Sequence, residues 1–127
     1  MPAKTVAQKM LIKDGHKVLF VKAPRDVEKL LGGLPRGATV ARSARQPADV
    51  VIFFAQDRRA LEAGLPQLRK AVAPQGSIWV AYHKGTSGVK TDIHRDSIHA
   101  YAMTVGLVGV ALISVDDDWS AMRFKLA

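Results

Sequence analysis

The 127-residue sequence contains no cysteine. That one absence removes disulfides, thiolate metal centres, iron–sulfur clusters and cysteine nucleophiles. Aromatic residues are scarce at 6%, and the first 45 residues hold only one, Phe20. A nucleic-acid surface that stacks bases is therefore poorly supplied there. Acidic residues number eleven against nineteen Lys and Arg, giving a net charge of +8. No stretch approaches the roughly 20 apolar residues of a spanning helix, and the start, with Lys4 and Lys9, lacks the apolar core of a signal peptide. These features predict a soluble, cytoplasmic protein of bacterial style, with no membrane partner. Neither repeats nor a linker-like tract interrupt the chain, so residues 1–127 are expected to form a single domain.

What is present is 48% hydrophobic residues, enough for a packed core. Positive charge is concentrated early: residues 1–45 carry ten Lys and Arg against Asp14, Asp26 and Glu28, net +7, leaving +1 for the remainder. Such a field draws anions at long range but also serves solubility.

Short runs rich in β-branched and aromatic residues, Lys17–Val21, Ala48–Ala55, Ser77–Ala81 and Leu107–Val115, read as buried strands, with a weaker strand over Ala38–Arg42. Helical patterning lies between them. A first helix is expected over Ala3–Leu11, and Arg25–Leu31 makes a short helix stopped by Gly32-Gly33. Asp57–Val72 sets Leu61, Leu65, Leu68 and Val72 on one stripe, flawed by Pro66 and closed by Pro74 and Gly76. Asp92–Val105 does the same with Ile98, Tyr101, Ala102 and Val105 and stops at Gly106. Alternating strand and helix imply parallel strands joined by right-handed crossovers. The end differs, because Asp116-Asp117-Asp118 and Ser120–Leu126 leave room only for an antiparallel hairpin. The expected architecture is an α/β three-layer, Rossmann-like sandwich ending in a β-hairpin.

Two segments, 13–19 (KDGHKVL) and 65–80 (LPQLRKAVAPQGSIWV), resemble the S-adenosylmethionine-dependent methyltransferase fold around its first strand and around a later helix, turn and strand. The resemblance implies a mostly parallel six-stranded sheet of order 2-1-3-4-6-5, methyltransferase-like but truncated. More closely, Ala23-Pro24, residues 84–92 (KGTSGVKTD) and residues 115–120 (VDDDWS) are similar to a bacterial family of short proteins classed as domain of unknown function 3052. No biochemical activity comes with that family.

Active methyltransferases follow strand one with a glycine-rich loop and offer a carboxylate after strand two. Here the first strand leaves through Lys22-Ala23-Pro24-Arg25 without glycine, and the second through Ala41-Arg42-Ser43 without an acid. S-adenosylmethionine is thus a possible but disfavoured cofactor on sequence grounds.

In an open parallel sheet, ligands bind beyond the carboxyl ends of the strands. Segments 23–25, 43–45, 56–58 and 82–91, with Trp119, are expected to meet there. Arg25, Arg58, Lys84, Thr86 and Ser87 would suit a small anion, supplying cations, hydroxyls and loop N–H groups. His94 joins this ligand-binding set, since it opens a helix near the crevice and shares a stripe with Ile98. Of the other histidines, His83 directly follows a strand and has a similar standing. His94 and His99, five residues apart, project about 140° from each other on a helix and cannot share a metal. Residues 85–91 (GTSGVKT) lack the adjacent Gly-Lys of a phosphate-binding loop, and Ser87 lacks the Gly-x-Ser-x-Gly of a nucleophile elbow. No catalytic residue and no metal ligand is assigned.

The favoured reading is a non-catalytic binding or interaction module taking a small anionic ligand. One alternative is an active methyltransferase with an atypical cofactor loop. Another is weak nucleic-acid binding through the basic first third, with affinity falling steeply with salt. An open sheet edge also allows a homodimer.

Overall fold

The computed structural model describes residues 4–41 and 47–127. Its elements run α1 (Val6–Lys9), β1 (Lys17–Val21), α2 (Val27–Leu30), β2 (Thr39–Ala41), β3 (Ala48–Phe54), α3 (Arg58–Leu68), β4 (Val72–His83), α4 (Arg95–Thr104), β5 (Leu107–Ser114) and β6 (Trp119–Leu126). The strands form one six-stranded sheet of order β2-β1-β3-β4-β6-β5. Pairs β1/β2, β1/β3 and β3/β4 are parallel, whereas β6 runs antiparallel to both β4 and β5. The expected topology and terminal hairpin are therefore observed.

Strand β3 is buried on both faces, which explains its nearly continuous apolar sequence. Val51 and Phe53 pack with Leu61, Leu65, Ile98 and Ala102 of α3 and α4. Val50, Ile52 and Phe54 pack on the other side with Ala7, Met10, Val27 and Leu31. Residues of alternating parity thus feed two cores, one on each face of the sheet. Among the described residues no helix is long and apolar enough to cross a membrane.

Helix α3 carries two residues that disfavour helices, and packing accounts for both. A Cβ on Gly64 would stand 2.8 Å from the Phe53 ring, so glycine permits the close approach of α3 to β3. Pro66 lies inside α3 and has no N–H for the Glu62 carbonyl. The Tyr101 hydroxyl donates to that carbonyl instead, at 3.3 Å.

The helices are shorter than the pattern predicts. α3 ends at Leu68, and Val72, expected on its stripe, opens β4 opposite Ala48. Pro74 and Gly76, expected to terminate a helix, lie inside this strand where its register with β3 shifts. A Cβ on Gly76 would meet the Asp49 carbonyl at 2.6 Å, a backbone contact that only glycine allows. α1 and α2 have four residues each, and Leu11, at φ 62, turns the chain out of the α1 region.

Candidate functional site

The parallel strands β1, β3 and β4 end on one side of the sheet, where three chain exits form a crevice. At the first exit Lys22 adopts a left-handed φ of 56°, a conformation that favours glycine. Pro24 follows, and its carbonyl accepts the Val27 N–H at 3.2 Å at the start of α2. At the second exit, Ala55 is tied to β4 by its N–H to the Ala81 carbonyl, 2.9 Å. Asp57 then caps α3, its Oδ1 accepting the Ala60 N–H at 2.8 Å. Lys22, Ala23, Phe54, Gln56, Asp57 and Ala60 enclose a cavity of about 380 Å3 between these exits.

The third exit leads into the loop before α4. Tyr82, His83, Lys90, Thr91 and His94 contribute to a second cavity of about 550 Å3. The loop's far end is held to the second exit: Thr91 Oγ1 donates to the Gln56 carbonyl at 2.8 Å, and Asp92 Oδ1 accepts the Arg58 N–H at 2.7 Å. Gln56 and Thr91, so joined, belong to the walls of different cavities. Trp119 touches both walls. Its ring stacks on His83 with centroids 3.9 Å apart and meets Phe54 edge-on at 5.0 Å. The His83 Nδ1 is buried without a hydrogen-bond partner among the described residues. Burial pushes the Tyr82 phenol above its ordinary value of 10.0, with the hydrogen bond to Ser120 and the Arg95 charge acting in the opposite direction.

Of the six residues assigned from sequence, only His94 lines either of these cavities. Arg58 directs its guanidinium along α3 to Glu62, with Nε–Oε1 at 3.0 Å. Lys84 reaches across β6 to the end of β5, where its Nζ donates to Ser114 Oγ at 2.6 Å. Ser87 Oγ accepts the Val89 N–H at 3.2 Å within the loop. Arg25 and Thr86 are exposed, and neither lines the two cavities. His94 does line the larger one. It is an exposed N-cap rather than part of the Ile98 stripe, with its N–H donating to Ser97 Oγ at 3.0 Å. Segment 43–45 lies outside the described residues.

Lys22, Gln56, Asp57 and Thr91 carried no individual signal in the sequence. The available clues were the position of Lys22, Gln56 and Asp57 directly after predicted strands and the place of Thr91 in segment 82–91. The aspartate run 116–118 is explained by its own turn: Asp116 Oδ1 accepts the N–H groups of Asp118 and Trp119 at 2.9 and 2.8 Å.

No family model and no curated protein matches the chain, so the likeness to the domain of unknown function 3052 rests on the quoted residues alone. Solved structures do resemble it. A DhpI–SAH complex is similar over 96% of this chain and 83% of its own, with TM-score 0.66 and 13% identity. A TehB-like SAM-dependent methyltransferase from Corynebacterium glutamicum covers 90% of this chain and 82% of its own, with TM-score 0.55 and 12% identity. The 1,6-didemethyltoxoflavin-N1-methyltransferase of Burkholderia thailandensis, bound to 1,6-didemethyltoxoflavin and S-adenosylhomocysteine, covers 96% of this chain and 75% of its own, with TM-score 0.63 and 9% identity. The fold is thus methyltransferase-like. These neighbours overturn the expectation that S-adenosylmethionine is disfavoured, which rested on the missing glycine loop. Lys22 supplies a left-handed backbone turn at that exit without a glycine.

Proposed function

We propose that this chain is a ligand-binding domain of the methyltransferase fold that holds S-adenosylmethionine or S-adenosylhomocysteine between the exits of β1 and β3. The observation that carries this reading is the cavity of about 380 Å3 lined by Lys22, Ala23, Phe54, Gln56, Asp57 and Ala60. It sits at the carboxyl ends of adjacent parallel strands, where open α/β sheets bind their ligands. The donor set fits the group. Lys22 offers an ammonium to the amino-acid carboxylate, Asp57 a carboxylate to the positive charges, and Gln56 an amide to polar edges. S-adenosylmethionine would bring an electrophilic methyl group, and the second cavity, sharing the Gln56–Thr91 contact, is placed for a neighbouring molecule.

Thermal unfolding with each ligand, checked by calorimetry, tests this. At 100 times the dissociation constant a native-state ligand adds about 2.7 kcal/mol, raising the midpoint by roughly 10 °C at this chain length. Ala60→Trp, which fills the cavity from the first turn of α3, should abolish the shift while leaving the unliganded midpoint within a few degrees. No shift with either ligand at millimolar concentration would sink the reading.

A second reading follows from Lys90, Thr91, His83 and His94 around the larger cavity, which together suit a small anion. Inorganic phosphate raising the midpoint when neither adenosyl ligand does would favour it.

A further inference from the structure

The two edges of the sheet are unlike. β2 is three residues long among the described residues, and a short edge offers little to an incoming strand. β5 has eight residues, pairs only with β6 among the described residues, and reads LVGVALIS, with no charge and no proline. Natural open edges of that length usually carry lysine, proline or a covering element. Here Val108, Val110 and Leu112 are 45%, 45% and 46% exposed, and Met103 on the adjoining α4 is 61% exposed. These four are most of the large apolar side chains left exposed among the described residues, and all lie at this one edge. A bulge between Gly109 and Ala111 leaves Val110 outside the register with β6, so it twists the strand without adding any charge.

We infer that β5 is the contact edge of a two-fold dimer, in which it pairs antiparallel with β5 of a second copy to give a continuous twelve-stranded sheet. Three features point to a second copy. An uncharged apolar strand is complementary to itself, as a two-fold interface requires. The strand offers about 27 Å of main-chain donors and acceptors to a parallel or antiparallel neighbour. Among the described residues, 4–41 carry eight Lys and Arg against Asp14, Asp26 and Glu28, net +5, in and between α1, β1, α2 and β2, and β1 and β2 form the end of the sheet away from β5. Joining at β5 keeps the two basic regions at opposite ends of the assembly, where repulsion is screened by salt. An acidic partner protein would be drawn to the basic end instead.

Sedimentation velocity of the full chain from about 1 to about 200 µM is the test, because dimerisation responds to mass action. A species of twice the 13.8 kDa chain mass is expected to grow with concentration. Val108→Lys combined with Leu112→Lys should weaken the association by roughly 100-fold, since the two lysines of each copy, one on each face of the sheet, would bring like charges together at the shared edge. Val40→Lys, on the opposite edge, should leave it unchanged. A wild-type chain that stays monomeric throughout, or a dimer that ignores the β5 lysines or responds to Val40→Lys, overturns the inference. Should the double variant fail to fold, amide exchange of the wild type decides: β5 protection rising with concentration upholds the dimer, and concentration-independent exchange refutes it.

Discussion

Trp79 shows what one side chain contributes. It lies in the middle of the sheet with no exposed surface, and its indole N–H donates to the Met10 carbonyl at 3.1 Å. That bond satisfies a buried donor and joins the region after α1 to β4. Trp79→Phe removes the donor, strands a carbonyl and leaves a gap, so it should cost about 2–4 kcal/mol, read from the urea midpoint. Tyr82 makes a pH-dependent contribution. Its folded pKa is raised by burial, so stability is fully present below pH 10, the unfolded value, and falls as pH rises toward the folded pKa. Tyr82→Phe should flatten that alkaline loss in melts taken between about pH 9 and 11. None of these roles was legible from residue type. A tryptophan in an apolar run reads as core, but the partner of its N–H lies 69 positions away.

At the scale of elements, strands were easier to read than helices. β1 matches its predicted bounds, and β3, β5 and β6 agree to within one residue, since runs such as residues 48–54 are rich in β-branched and aromatic residues and, in β3, buried except at Asp49. Helix ends failed where tertiary contacts outweighed periodicity. Leu61, Leu65 and Leu68 do form one buried stripe, but Val72 gains more by pairing beside Ala48 than by extending α3. The hairpin corner depended on recognising that an aspartate can accept from its own following backbone. Asp116→Ala deprives the N–H groups of Asp118 and Trp119 of their acceptor and should destabilise by about 1–2 kcal/mol. Because Trp119 then loosens from His83 and Phe54, its fluorescence should change before global unfolding in a thermal scan.

For the whole molecule, strand–helix alternation and right-handed crossovers made parallel strands legible and the short tail 116–126 a hairpin, while the order of the sheet was implied only by the resemblance to the methyltransferase fold. The same logic places the crevice at the strand exits and makes the ligand titration the measurement that reads function at this scale. The sequence by itself determined the α/β class, the buried strand β3, the uneven charge and segments 23–25, 56–58 and 82–91 as lying by the crevice, whereas Leu107–Val115, read as a buried strand, forms the largely exposed edge β5. Only the tertiary structure decided which side chains enter the crevice. Arg58 turned to Glu62 and Lys84 to Ser114, while Lys22, Gln56 and Asp57 came to enclose a cavity. The physical reason is that hydrophobic periodicity encodes which face of an element is buried, whereas the direction of an exposed polar side chain depends on partners set by the fold. The bare β5 edge follows the same rule, since its residues are apolar in any reading and become an edge only when the sheet is assembled.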